Sequence, residues 1–264
     1  IKKLLKRING FYWKELSLDI SELFSGVDRK VICLVGAGGK KSTMYALAKS
    51  LTGTIALSST THMYPYDPKY VGRFIAVKNN HIPIMRSGIE KVHAFFGEKM
   101  EKERVSGLSE KLLSEIWRSG KFDTLIIKAD GARARLIKAP GPEEPLIPSF
   151  ADCIIPIVSV KAVGRKLDSS IAHRVDLLSR LIKIEPGEVI NESHIQNLMT
   201  SEDGFLRNAR GKHILPLINM VDSKAEEKSA LRIAESVLSL TNRYDSVAIG
   251  AMNRGILRRV VRRK

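Results

Sequence analysis

Two cysteines among 264 residues are too few for a disulfide framework or a thiolate metal cluster. Both, Cys33 and Cys153, fall inside apolar strand-like runs, where cysteine behaves as a small buried hydrophobe. No apolar stretch reaches the roughly 18 to 20 residues that a membrane-spanning helix needs. Aromatic residues make up only 6% of the chain, and aromatic-rich RNA-binding motifs, paired zinc ligands and a helix-turn-helix pattern are all missing. The opening stretch IKKLLKRINGFYWKEL has a basic start but lacks a long apolar centre and a small-residue cleavage site, so it does not read as a secretory signal. It suggests instead an amphipathic docking helix through Leu4, Leu5 and Ile8, and the chain as a whole suggests a cytoplasmic protein.

Acidic residues are also in short supply. Lys and Arg number 44 against 28 Asp and Glu, a net charge of +16. That surplus favours anionic partners: nucleotides, nucleic acid or an acidic protein surface. Its densest run is the ending RGILRRVVRRK, read as a solvated amphipathic helix with Ile256, Val260 and Val261 turned inward. Charge alone does not establish a nucleic-acid partner.

What is present begins with VICLVGAGGKKST at residues 31–43. An apolar strand stops at a glycine-rich turn and a helix bearing lysine and hydroxyls follows. Such an arrangement presents backbone N–H groups, a helix N-terminus and an ammonium group to one phosphate chain. The candidate loop is Gly36, Ala37, Gly38, Gly39, Lys40, Lys41, Ser42 and Thr43. Lys40 supplies charge, and Ser42 or Thr43 a hydroxyl for hydrated Mg²⁺. Gly36 and Gly39 bracket two residues, a spacing that resembles the loop of Mur-type amide ligases more than the longer G-x-x-x-x-G-K-[ST] form. In those ligases a hydroxyl residue follows the lysine; here Lys41 does.

Downstream, strand and helix patterns alternate. Strands are expected at residues 54–58, 73–77, 123–130, 153–160, 213–219 and 246–251. Helices are expected at 44–51, through Leu108, Leu112, Leu113 and Ile116 up to Gly120, through Ile171, Val175, Leu178 and Leu181, and through Leu231, Ala234 and Leu238. Near-continuous apolar strands imply sheet faces covered on both sides. The expected fold is α/β, P-loop NTPase-like, with a mainly parallel doubly wound sheet in a single domain carrying an N-terminal helical segment and a basic tail.

Ligands of such folds gather at the carboxyl edge of the sheet. Thr60, Thr61 and His62 in SSTTH follow one strand and offer hydroxyls and an imidazole. Asp130 ends LIIKAD, where a carboxylate can hold a magnesium-bound water. Arg133, Arg135 and Lys138 crowd cations into GARARLIKAP, suited to phosphate charge or an anionic substrate. His173 and Arg174 open a helix. Asn219 and Asp222 in NMVD resemble the N-K-x-D base-reading motif of guanine-binding proteins, with Met220 in place of its lysine.

This ordered set, VGAGGKKST, SSTTH, ADGAR with KAP, the HR pair and NMVD, resembles the YqeC family over residues 31–250 or so. Lys41, Lys128 and Met220 depart from that family's usual pattern. The resemblance implies a nucleotide-binding protein, taking ATP or GTP with Mg²⁺, that serves maturation of selenium-dependent molybdenum hydroxylases alongside their maturation proteins. In that reading it is an NTPase or NTP-dependent transferase in which Lys40 stabilises phosphoryl charge and Asp130 holds the metal. A non-catalytic nucleotide switch or binding module for nucleic acid or an acidic partner, and a small-molecule kinase or ligase, are the other readings.

Overall fold

The computed structural model describes residues 5–8, 11–14, 30–84 and 89–263. In chain order its strands are β1 (Leu5–Ile8), β2 (Phe11–Lys14), β3 (Lys30–Gly36), β4 (Ile55–Ser59), β5 (Arg73–Ala76), β6 (Val92–Phe96), β7 (Lys99–Met100) and β8 (Arg104–Val105). They continue with β9 (Thr124–Lys128), β10 (Ile137–Lys138), β11 (Cys153–Ser159), β12 (Ala172–His173), β13 (His213–Ile214), β14 (Leu217–Asn219), β15 (Ser246–Ala251) and β16 (Ile256–Arg262). The helices are α1 (Lys40–Ser50), α2 (Glu110–Arg118), α3 (Val175–Ile182), α4 (Glu192–Thr200) and α5 (Lys224–Leu240).

One large sheet runs in the order β1-β2-β16-β15-β14-β11-β3-β9-β4-β6-β5, with β13 also against β11. From β15 to β5 every pairing is parallel, and the β1, β2 and β16 end is antiparallel. This is an α/β fold consistent with a P-loop NTPase-like arrangement. Period-two alternation in β3 sends Val31, Cys33 and Val35 to one apolar cluster and Ile32 and Leu34 to the other. Met44 and Leu47 of α1 cover the second face; residues of α2, α3, α4 and α5 cover the first. Both cysteines are buried and free, on opposite faces.

Local signals set the helix starts. Ser109 caps α2, Asn191 caps α4, and Ser223 with Glu226 forms a capping box on α5. Gly120, at φ 70°, follows the end of α2 in the left-handed region that stops a helix. Leu108 and Ile171 lie ahead of α2 and α3 rather than within them. α1 starts at Lys40, four residues earlier than the periodicity suggests.

Three expectations are corrected. The basic tail is strand β16, not a helix: Val260 and Val261 enter opposite cores, as only a strand's alternation allows for neighbours. Leu5 and Ile8 lie in β1, which pairs with β2, so that stretch is extended rather than helical; Leu4 lies outside the described residues. The expected strand over residues 213–219 divides into β13 and β14 around Leu215 and Pro216, since proline has no N–H to donate. Strand β6 was not anticipated, and the edge strand β5 pairs with it.

Candidate functional site

Gly36 ends β3 at the carboxyl edge with φ 86°, and a Cβ there would lie 2.3 Å from the Ile157 carbonyl oxygen. Gly39 is the N-cap of α1 at φ 115°, and a Cβ there would lie 2.4 Å from Asn219 Nδ2. Glycine is therefore a steric requirement at both positions. The turn does not offer all of its amides, however. Gly36 N donates to Asp130 Oδ2 at 2.8 Å, Ala37 N to Ile157 O at 2.9 Å, and Gly38 N to Arg135 O at 3.0 Å. The donors ahead of the helix's own ladder are the N–H groups of Lys40, Lys41 and Ser42. The first bond of α1 runs from Thr43 N to Gly39 O, and no side chain of the described residues caps the helix. Anion attraction is thus concentrated at the first turn of α1.

Lys40 turns back over this loop. Its ammonium donates to the Gly36 carbonyl and lies 2.8 Å from Asp130 Oδ1, with 5% and 2% of the two side chains exposed. Lys138, from β10, approaches the other carboxylate oxygen at 2.8 Å and also donates to Gly131 O at 2.8 Å and Glu144 Oε2 at 2.5 Å. Arg174 Nη1 then reaches Glu144 Oε2 at 2.7 Å and donates to Ala139 O at 3.1 Å. A continuous chain of alternating charge results: Lys40, Asp130, Lys138, Glu144, Arg174. Burial lowers the Lys40 pKa, and Asp130 partly restores it.

Lys128 is the last residue of β9, two residues before Asp130. Its ammonium donates to Thr61 Oγ1 at 2.8 Å. Burial, followed by the repulsion of Lys40, lowers it to about 7. His173 is lowered to about 4 by burial and then by Arg174, Lys138 and Arg133. Cations therefore outnumber anions here: Lys40, Lys128, Lys138 and Arg174 face Asp130 and Glu144. An anionic ligand is the natural complement.

The remaining candidates divide. Thr60 N donates to Lys128 O, and its hydroxyl oxygen is buried without a hydrogen-bond partner among the described residues. His62 is exposed and Arg133 is exposed at φ 46°. Lys41 points away, donating to Pro65 O at 2.7 Å. Thr43 Oγ1 donates to Gly39 O at 3.0 Å, which leaves Ser42, half-buried in the first turn, as the hydroxyl near the helix start. Asn219 is a staple: Nδ2 donates to Gly38 O at 2.8 Å and Oδ1 accepts from Met252 N at 2.9 Å. Asp222 pairs with Lys161 at 2.6 Å. Met220, at φ 61°, accepts a hydrogen bond from Ser159 Oγ.

Glu144 was not singled out in the sequence, because an acidic pair in a proline-rich loop carries no pattern. The Lys161–Asp222 pair was invisible for the same reason.

No group of three or more His, Cys, Asp or Glu able to hold a metal occurs among the described residues. Magnesium is commonly bound by one or two carboxylates together with phosphate oxygens and water. Asp130 and Ser42 fit an ion arriving with a polyphosphate and do not fit a resident one. No helix of the described residues is long and apolar enough to cross a membrane.

Comparison with known proteins places this site in context. The family model described as YqeC protein matches residues 32–176. The chain is also 26% identical over 192 residues to the uncharacterized protein YqeC of Escherichia coli (strain K12), covering 67% of this chain and 70% of that protein. The family-model match takes in the whole charge chain from Lys40 to Arg174 and stops before Asn219 and Asp222.

Proposed function

This chain belongs to the YqeC family, and we propose that it binds the phosphate chain of ATP or GTP with Mg²⁺ and hydrolyses or transfers the terminal phosphoryl group. The observation that carries this reading is the gathering of three sheltered lysines around Asp130 in front of the uncapped N-terminus of α1. With Gly36, Ala37 and Gly38 amides bonded internally, the phosphates would rest on the N–H groups of Lys40, Lys41 and Ser42. Lys40 would exchange Asp130 for a phosphate oxygen and stabilise charge on the group transferred. Asp130 and Ser42 would hold the magnesium, which supplies charge neutralisation at the phosphates. Lys138 positions the Asp130 carboxylate, and Glu144 with Arg174 fixes Lys138 in turn.

The biological setting we propose is maturation of selenium-dependent molybdenum hydroxylases in the cytoplasm, with the maturation proteins as partners. A specific observation also favours transfer to a second, anionic small molecule: Arg133 and the half-buried His173 border the charge chain. The nucleic-acid reading is weakened by the tail. Arg258 donates to Val221 O, Arg259 pairs with Glu227, and Arg263 donates to Leu238 O and Thr241 O. These arginines anchor β16 and do not form a free basic stripe.

Displacement of a fluorescent triphosphate analogue tests the proposal. Saturable binding, displaced by ATP or GTP and supported by Mg²⁺, is expected. Absence of binding to the folded protein at millimolar nucleotide would overturn it.

A further inference from the structure

We propose that Lys128 is a phosphate-binding residue of this site, its ammonium leaving Thr61 to meet the terminal phosphoryl group of a bound triphosphate. The inference deepens the nucleotide-binding reading and rests on it. Three observations converge.

Lys128 is only 8% exposed, yet the hydrogen bond its ammonium makes among the described residues goes to a neutral hydroxyl, Thr61 Oγ1. An ammonium has three donors, and burying one without an anionic partner is costly. The two carboxylates nearby are already engaged: Asp130 by Lys40 and Lys138, Glu144 by Lys138 and Arg174. The groups whose fields reach Lys128 are Lys40, Asp130, Lys138 and Glu144, so like charges surround it as much as opposite ones.

Geometry supplies the direction. Lys128 ends β9 at the carboxyl edge of the sheet, and Asp130, just beyond the strand, holds Lys40. Lys40 reaches Asp130 from α1 and Lys138 from β10, while Lys128, on β9, lies within the fields of both lysines and of that carboxylate. A ligand that brings negative charge to Lys40 brings it within reach of Lys128. Thr61, two residues beyond the end of β4, serves as the resting partner of the lysine.

The account also separates binding from stability. A buried cation without a carboxylate partner burdens the fold, whereas a ligand would use it.

The test compares wild type with Lys128→Met for ATP, ADP, tripolyphosphate and pyrophosphate, with folding checked by circular dichroism and thermal melting. Removing one charge-assisted contact should weaken ATP and tripolyphosphate by about 10- to 150-fold. ADP and pyrophosphate should change by no more than about threefold, because they lack the terminal group. The variant should melt no lower than wild type. Lys128→Gln carries the same expectation should the methionine variant fail to fold, and Lys128→Arg should restore preference for the longer phosphate chain. In wild type alone, tripolyphosphate should bind more tightly than pyrophosphate. Equal weakening of ATP and ADP, unchanged ATP affinity in the variant, or equal wild-type affinity for the two inorganic chains would overturn the inference while leaving nucleotide binding intact. A wild-type protein that binds none of the four ligands overturns both.

Discussion

Lys40 Nζ lies 2.8 Å from Asp130 Oδ1, and both side chains are almost sealed from solvent. The lysine comes from the first turn of α1 and the aspartate from just beyond the end of β9, 90 residues apart in sequence, so the parallel sheet is what brings them together. Lys138 holds the second Asp130 oxygen, which makes the carboxylate the common counter-ion of two buried ammonium groups.

Replacing Asp130 with Asn should therefore be felt in stability before it is felt in activity. Removing one partner of a buried ion pair costs about 3 to 5 kcal/mol, because the cations left behind are uncompensated. Chemical denaturation should show a clear loss in midpoint for Asp130→Asn. Magnesium-dependent turnover should fall further than metal-free nucleotide affinity, since the carboxylate acts through the ion. An unchanged midpoint would mean that the lysines do not depend on Asp130.

Asn219 should act as a structural residue of the loop. It satisfies Gly38 O and Met252 N at once, and both sites are buried. Asn219→Ala leaves two buried backbone groups without partners, at about 1 to 3 kcal/mol each. Equilibrium unfolding of the variant measures this, and a loss below about 0.5 kcal/mol would contradict the staple.

Acid should weaken the protein in two stages. Burial and neighbouring cations lower His173 to about 4, below its unfolded value, so the native state prefers the neutral ring. Its contribution is complete above about pH 6.5 and is lost as pH falls toward 4. Burial pushes the Glu144 carboxyl up, but hydrogen bonds from Arg174 and Lys138 outweigh it and hold the group at about 2. Its contribution is present above about pH 4.5 and is lost as pH falls toward 2. Melting temperature against pH should decline over both windows. His173→Gln should flatten the upper one and Glu144→Gln the lower one; an unaltered profile in either variant refutes that assignment.

Removing residues 256–264 should disrupt the fold rather than trim a surface. Leu257, Val260 and Val261 are buried, each worth about 1.5 to 3 kcal/mol relative to exposure. Loss of a cooperative unfolding transition is expected. A truncated protein with wild-type melting would indicate a dispensable tail.

Much of this architecture was legible in the sequence. Runs such as LIIK and CIIPIVS have no helical spacing and suit strands covered on both faces, and Gly120 marks the end of α2. The starts of α1 after Gly39 and of α2 after Ser109 were placed a few residues off, because apolar spacing alone does not locate a cap. The tail was misjudged because Ile256, Val260 and Val261 also fit a helical stripe. Only the partner strand β15, with its register shift between Ile249 and Gly250, decides for a strand. At the site, Lys40, Asp130 and Lys138 stood out as charges at motif positions or strand ends. Their mutual contact did not, because pairing across the sheet edge has no sequence period. The internal bonding of the Gly36, Ala37 and Gly38 amides was equally invisible, since it depends on Asp130, Ile157 and Arg135 arriving from elsewhere. Asn219 illustrates the reverse case, a residue at a base-reading motif position whose amide braces the loop.

The most direct measurement is calorimetric titration of Mg²⁺–ATP and Mg²⁺–GTP into wild type, Lys40→Ala and Lys41→Ala, each confirmed as folded. Lys40 faces the site and Lys41 donates away to Pro65 O, so the two neighbours are matched in charge and opposed in direction. The account predicts binding in wild type, a loss of about 10- to 150-fold in Lys40→Ala, and a change of less than about threefold in Lys41→Ala. Equal affinities in wild type and Lys40→Ala would contradict it.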